Sequence, residues 1–337
     1  MKEALSFDDV LLSPRCSDIE SRSLIDISNE LSENIVLSLP IVSSPMDTIT
    51  ETEMAVAMSK AGGLGIIHRY NTIDAQVALV KSAAMSGASV VAGAIGATGD
   101  FEERACALHD AGVRVICIDV AHGHHCSVKN ALETLRGIFG DSVHIMAGNV
   151  ATYEGLNDLA DWGANSVRVG IGGGSICSTR IQTGHGIPTF QSIMDCSYTN
   201  KDVKIIADGG IKTNGDVVKA FAAGADFVML GSMLAGTSET PGEIFHSKNK
   251  KYKVYRGMAS KDAQDEWRGK SSAPEGISTT IPFKGSVRNI LNDMAGNIQS
   301  GLSYSGVRSL RELWFKAEFI RQTSAGQVES STHILKR

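Results

Sequence analysis

No run of apolar residues in this chain reaches the roughly 18 positions that a membrane-spanning helix requires. Its first residues, MKEALSFDDVLL, carry acidic side chains where a secretory signal would have its apolar centre, so no targeting peptide is expected. Neither sign of charge dominates. The 32 Lys and Arg stand against 37 Asp and Glu, a formal net charge of −5, and no basic stretch is dense enough to meet a phosphate backbone. Nucleic acid is therefore not an expected partner. Six cysteines (Cys16, Cys106, Cys117, Cys126, Cys177, Cys196) occur without a CxxC pair or a small-domain disulfide framework, which suits a reducing cytoplasm. Low-complexity runs are absent too, so the 35 glycines are expected at turns and close backbone approaches.

What is present is a globular composition, 42% hydrophobic and 20% charged over 337 residues, enough for one large α/β domain or two ordinary ones. Eight short apolar, β-branched runs recur at the spacing of a strand plus a helix: 39–46, 63–69, 88–96, 113–120, 142–150, 166–172, 203–210 and 226–233. Helical patterns lie between most of them, as in TEMAVAMSKAG, FEERACALHDAG, EGLNDLADWGA and NGDVVKAFAAGA. Continuous apolar strands alternating with helices imply parallel strands buried on both faces. Eight such units favour a closed (β/α)8 barrel over an open doubly wound sheet, and place function at the C-terminal ends of the strands. Unusual residues collect there: SSPMD, HR, DVAHGHH, GNV, GIGGGSIC, ADGG and GSM. Residues 234–285 are polar and Gly-rich without strong periodicity, and part of that stretch is expected to form a mobile flap over the barrel mouth.

The sixth run ends in GIGGGSICSTR (170–180). It is not a dinucleotide fingerprint, because the sixth position counted from Gly170 is Ser175 rather than glycine. It is not a Walker A loop either, since no Gly-Lys-Ser/Thr follows. Exposed N–H groups in such a loop can hold a phosphate, and C=O groups a cation. Loops after the last two strands of a (β/α)8 enzyme often form a phosphate site. Here Gly209, Gly210, Gly231 and Ser232 could donate to it, while Asp208 is placed to accept from sugar hydroxyls; a nucleotide would satisfy both. Cys177 lies beyond a strand end beside Arg180, a cation that could favour the thiolate, and a thiolate there could attack an electrophilic carbon of a bound base. The HGHH run (122–125) could bind zinc, but adjacent loop residues seldom converge on one ion without carboxylate or Cys partners, so Asp119 and His122 are read as cofactor contacts.

Several blocks resemble the IMP dehydrogenase/GMP reductase family: LSFDDVLLSP, SSPMDTITE, GIGGGSICSTR, IADGGI, GSMLAG, KVYRGM, PEG with PFKG, and AEFIRQTSAG. They cover nearly the whole chain in the family's order. The resemblance implies one (β/α)8 catalytic domain over 1–337 that binds a purine mononucleotide, with a mobile flap over about 257–285. It also implies a covalent adduct between a cysteine and C2 of the base, hydride exchange with a nicotinamide cofactor, and a homotetramer. By position, Cys177 matches the nucleophile, Thr179 the threonine that handles water or ammonia, and Glu275 the acid of the proton relay. Ser44, Met46, Ser175, Asp208, Gly210, Gly231, Ser232, Tyr255, Gly257 and Met258 match nucleotide contacts, and Asp119 a cofactor contact. Backbone carbonyls of Gly172, Gly174 and Cys177 match those that hold potassium in the dehydrogenases, and the segment near Glu329 resembles the neighbouring subunit's contribution to that ion.

Two departures bear on the direction of the reaction. Only about twenty residues separate GIIHR from ASVVAG, where typical dehydrogenases of the family insert a pair of CBS modules. Between Met258 and Glu275 the chain reads ASKDAQDEWRGKSSAP, without the Arg-Tyr pair whose arginine activates the hydrolytic water; Trp267-Arg268 is the nearest substitute. A dehydrogenase lacking that base should fail to hydrolyse its intermediate, whereas a reductase releases ammonia instead. Other blocks, such as AHGHH and SETPGE, are closer to the dehydrogenases. The expectation is NADPH-dependent conversion of GMP to IMP and ammonia. The alternative is oxidation of IMP to XMP with NAD and potassium.

Overall fold

A computed structural model describes residues 3–330 and 332. The chain opens with a 3₁₀ turn (Phe7–Asp9), strand β1 (Val10–Leu12), and a hairpin of β2 (Asn29–Ser32) and β3 (Ile35–Leu37). Eight strands follow: β4 (Ile41–Ser43), β5 (Leu64–Ile67), β6 (Ala92–Ile95), β7 (Val115–Asp119), β8 (His144–Val150), β9 (Ser166–Val169), β10 (Lys204–Asp208) and β11 (Phe227–Leu230). Each falls inside one of the eight runs read from the sequence. They pair in parallel, in the order β10-β11-β4-β5-β6-β7-β8-β9, and close into a barrel. The helices between them are α1 (Thr52–Lys60), α2 (Ile73–Met85), α3 (Phe101–Asp110), α4 (Cys126–Phe139), α5 (Tyr153–Asp161), α6 (Thr179–Thr183), α7 (Thr189–Cys196) and α8 (Asn214–Ala222). Among the described residues no helix is long and apolar enough to cross a membrane.

Strand parity sorts the core into two layers. In β7, Ile116 and Ile118 join the large cluster under the helices, while Val115 and Cys117 join the cluster on the barrel axis. In β10, Ile205 and Ala207 pack outward and Ile206 inward. The axial cluster includes Leu31, Ile35 and Leu37, so the β2–β3 hairpin plugs the mouth at the strands' N-terminal ends. Asn29 and the Asn34 carbonyl fix it there through Asp226 and Arg114. That leaves the C-terminal mouth for chemistry. Thr72, Thr152 and Thr213 each accept an N–H at the start of α2, α5 and α8, fixing where those helices leave their loops.

The stretch after β11 is not the structureless loop its sequence suggests. It builds an antiparallel sheet of β12 (Phe245–Ser247), β13 (Lys250–Arg256) and β14 (Ser278–Pro282), with α9 (Lys261–Arg268) inserted between the last two. The strand signal in KKYKVYR is masked because a lysine takes a buried position. Lys253 faces inward with Tyr255, and its ammonium donates to the carbonyls of Thr237 and Thr240. The C-terminal part adds α10 (Val287–Tyr304), α11 (Leu310–Lys316), β15 (Phe319–Arg321) and α12 (Ser324–Glu329), and β15 pairs antiparallel with β1.

Candidate active site

The C-terminal mouth holds a cavity of about 540 Å³, walled by the loops after β4, β7, β9, β10 and β11 and roofed by α9 and the approach to β14. Every site residue expected from the sequence lines it except His122. That side chain is exposed, and the wall formed by its loop ends at Ala121. The neighbouring histidines have other partners: His124 bonds Asp158 at 2.7 Å, and His125 caps the first turn of α4. Among the described residues, no group of three or more His, Cys, Asp or Glu is assembled to hold a metal ion.

The glycines of GIGGG are explained by close packing against the loop after β10. A Cβ on Gly170, whose φ is +147°, would lie 1.8 Å from the Asp208 carbonyl oxygen. One on Gly173 would meet Thr189 Oγ1 at 2.5 Å, and one on Gly209 would press on the Gly173–Gly174 backbone. Two backbones thus approach as no side-chain-bearing residues could. At the far edge, Gly231 sits against Ser44, Met46 and Tyr255, and the Tyr255 hydroxyl lies 3.3 Å from Ser175 Oγ. These neutral donors form the polar rim on the side of β10 and β11.

Cys177, half-buried, stands at the centre. Its sulfur is 3.2 Å from Thr179 Oγ1, which donates to Glu275 Oε2 at 2.8 Å. Glu275 comes from 96 residues away, and main-chain pairing delivers it. The Ser178 N–H donates to the Glu275 carbonyl at 2.9 Å and the Ile277 N–H to the Ile176 carbonyl at 3.0 Å, with Cys177 opposite Gly276. Arg180 does not serve the thiol as the sequence suggested. Its guanidinium donates to the carbonyls of Ile171 and Ile187, bracing the loop from behind, because Gly172 and Gly186 leave room for its stem. Of the three carbonyls expected for potassium, that of Gly174 accepts the Cys177 N–H at 3.1 Å in this loop conformation.

The charged centre of the cavity was missed. Arg168, on β9, points to the barrel axis and is 6% exposed. One guanidinium nitrogen donates to Asp119 at 2.6 Å and the other to Asp208 at 2.9 Å. Asn149 also donates to Asp208 Oδ2, at 2.8 Å, leaving Oδ1 for a ligand. Burial alone would raise the Asp119 carboxyl, but Arg168 and Arg69 beside it prevail and hold it below the ordinary carboxylate range. Arg168 is likewise opposed by burial and held firmly protonated by the two carboxylates. Tyr70 donates to the second oxygen of Asp119 at 3.2 Å; burial first, then that carboxylate, raise its phenol. The Tyr70 ring meets Trp267 of α9 edge-on at 5.1 Å, and the Arg69 guanidinium lies within 6 Å of both rings. Arg69 Nε and Trp267 Nε1 are buried donors without a partner on the cavity wall. A signal for Arg168 existed: it is the one charged residue in SVRVG, on the inward parity of a barrel strand. The Tyr70–Trp267 contact spans nearly two hundred residues and left none.

The family model described as IMP dehydrogenase / GMP reductase domain matches residues 4–333. Inosine-5'-monophosphate dehydrogenase of Nitrosopumilus maritimus is 34% identical, with 98% of each chain covered. GMP reductase of Leishmania major is 31% identical over all of this chain and 98% of its own. Both align over more than 470 positions against 337 here, so each carries positions with no counterpart in this chain. The crystal structure of a cysteine-to-alanine variant of GMP reductase from Trypanosoma brucei, in complex with guanosine 5'-monophosphate, superposes with a TM-score of 0.93 at 30% identity, covering 99% of this chain and 98% of that one.

Proposed function

Since the chain belongs to the IMP dehydrogenase / GMP reductase domain family, oxidoreductases of purine nucleotides that use nicotinamide cofactors, we propose that it is a GMP reductase with NADPH as hydride donor. The observation that carries this reading is the unbroken Cys177–Thr179–Glu275 run beneath a flap with no Arg-Tyr pair. The sulfur of Cys177, as thiolate, bonds C2 of the purine. The C2 amine then leaves as ammonia, its proton delivered from Glu275 through Thr179, a relay of the kind worth about 10²–10⁴ in rate. The nicotinamide, when bound, supplies a hydride to C2. The C–S bond then breaks, its electrons returning to sulfur. Overall, GMP, NADPH and two protons give IMP, NADP⁺ and ammonium.

The remaining assignments follow the same geometry. Asp208 Oδ1 accepts from the ribose, and Ser175, Gly210, Gly231, Ser232 and Tyr255 surround the phosphate, with Ser44, Met46, Gly257 and Met258 beside the nucleotide. Asp119, Tyr70 and Trp267 would hold the nicotinamide, and the unpartnered donors of Arg69 and Trp267 suit a planar ring bearing an acceptor. No step depends on potassium. A homotetramer in the cytoplasm is the proposed setting, the assembly to be read by light scattering.

IMP oxidation is the second reading, because Arg268 lines the cavity with its guanidinium 4.2 Å from the Trp267 ring, where a water-activating base would act. Purified protein is assayed with GMP plus NADPH, and with IMP plus NAD and potassium, following the reduced cofactor. Loss of NADPH with GMP alone is expected; reduction of NAD with IMP would replace this proposal by the dehydrogenase. Cys177→Ala is expected to lower turnover by about 10³-fold or more while GMP still binds, and full activity in that variant would rule out the adduct.

A further inference from the structure

Arg168 is held by two carboxylates from opposite halves of the cavity. Asp208, at the end of β10, faces the proposed nucleotide side, and Asp119, at the end of β7, faces the proposed cofactor side. The other neighbours of the guanidinium are weak. Cys117 Sγ lies 3.6 Å away with its thiol pushed up to about 12 by burial, and Nε has no partner. We propose that Arg168 is a positioning residue shared by the two halves, so that a nucleotide bound against Asp208 raises the affinity for a cofactor bound beside Asp119. The inference rests on the nucleotide-and-nicotinamide reading of the cavity.

The physical argument is competition for one cation. Two carboxylates share a single guanidinium, and Asn149 pins Asp208 Oδ2 so that this carboxylate cannot swing away. Sugar hydroxyls donating to Oδ1 spread the Asp208 charge and weaken its hold on Arg168. The guanidinium then settles on Asp119, which accepts from Tyr70, and the Tyr70 ring supports Trp267 on α9. The contacts Asp208–Arg168–Asp119–Tyr70–Trp267 run without a gap from the floor of the nucleotide side to the roof over the cofactor side. The span needs a planar fork. A lysine ammonium presents a point charge on a flexible stem and can satisfy one carboxylate at a time.

Calorimetry on the full chain tests this, titrating NADP⁺ with and without saturating GMP; the oxidised cofactor cannot donate hydride, so no turnover intervenes. In the wild type, GMP is expected to lower the NADP⁺ dissociation constant about fivefold or more, the lower end of ordinary coupling between sites. In Arg168→Lys the ratio should fall to within about twofold of one, with GMP still bound; a role confined to fold stability would not move that ratio. Tyr70→Phe removes only the hydroxyl between Asp119 and the ring stack, and it should reduce the ratio while keeping the fold. A wild-type ratio in Arg168→Lys would overturn the inference. If that variant does not fold, an unchanged ratio in Tyr70→Phe would overturn it instead. A wild-type ratio of one with both ligands bound also overturns it, whereas failure of the wild type to bind either ligand removes the reading beneath it.

Discussion

At the scale of single residues, the site is a hydrogen-bonded run, the proposed relay, and a shared charge. Thr179 stands between sulfur and carboxylate, at 3.2 and 2.8 Å, so the hydrogen-bonded path from one to the other runs through it. Thr179→Val and Glu275→Gln are each expected to slow turnover by about 10²–10⁴, and the double variant should be no slower than the worse single one, because residues of one relay do not add. Steady-state rates on the three variants decide it; additive losses would mean that the two act separately. At the other end of the barrel, His144 of β8 is 5% exposed and bonds Ser166 Oγ at 2.8 Å. Burial, then Arg136 and Lys204, push its pKa from 6.5 down to about 3. The folded protein therefore keeps it neutral where the unfolded chain protonates it. Its contribution is complete above pH 6.5 and is lost progressively from there down to about pH 3. By pH 5 the loss is about 2 kcal/mol. Urea unfolding of the wild type and His144→Asn between pH 7.5 and 5 should show their stability difference shifting by that amount, and parallel curves would refute it.

At the scale of elements, the flap is fastened to the barrel through Arg256 at the end of β13. Its guanidinium bonds Asp47 in the loop after β4, with Nε at 3.0 Å, and reaches Glu266 on α9 with its remaining nitrogen. Asp47 is 12% exposed and Glu266 67%, so water screens the second contact far more than the first. Asp47→Asn is expected to raise KM for nucleotide and cofactor together by about tenfold, while Glu266→Gln changes either by less than about twofold; steady-state kinetics in both substrates separate the two. The eight barrel strands could be read from sequence because each has an apolar run at the spacing of a strand plus a helix, and Cys177 and Thr179 because their loop is so unusual. β13 could not, since Lys253 occupies an inward position where only two carbonyls of a distant loop make it tolerable. Arg180 was misread for the opposite reason. Its nearness in sequence to Cys177 said nothing of its direction, which the glycines beside its stem decide.

At the scale of the whole molecule, the hairpin plug at one mouth and the cavity at the other give the barrel a stable end and a working end. A ligand that binds only the folded cavity must stabilise the entire chain, by about 2.7 kcal/mol at a hundred times its dissociation constant. For 337 residues this corresponds to a rise in Tm of roughly 4 °C, and GMP should give it in a thermal melt while adenosine alone should not. The pairing of Cys177 with Gly276 has a reach beyond chemistry. Two peptide hydrogen bonds hold 275–277 in register with 176–178, and the Glu275 N–H also donates to the Ala259 carbonyl at 3.0 Å. The carboxylate is thus held on both sides of α9 and keeps its place when that helix changes. Insertions or deletions between Lys261 and Ala273 can lengthen, shorten or rewrite the roof and leave Glu275 over Thr179. One added residue between Glu275 and Ile277 would turn that side chain to the opposite face. Length variation among descendants of such a barrel should thus accumulate on one side of Glu275 and stop at the other, so that the roof over the cavity can diverge while the Cys177–Thr179–Glu275 run stays intact.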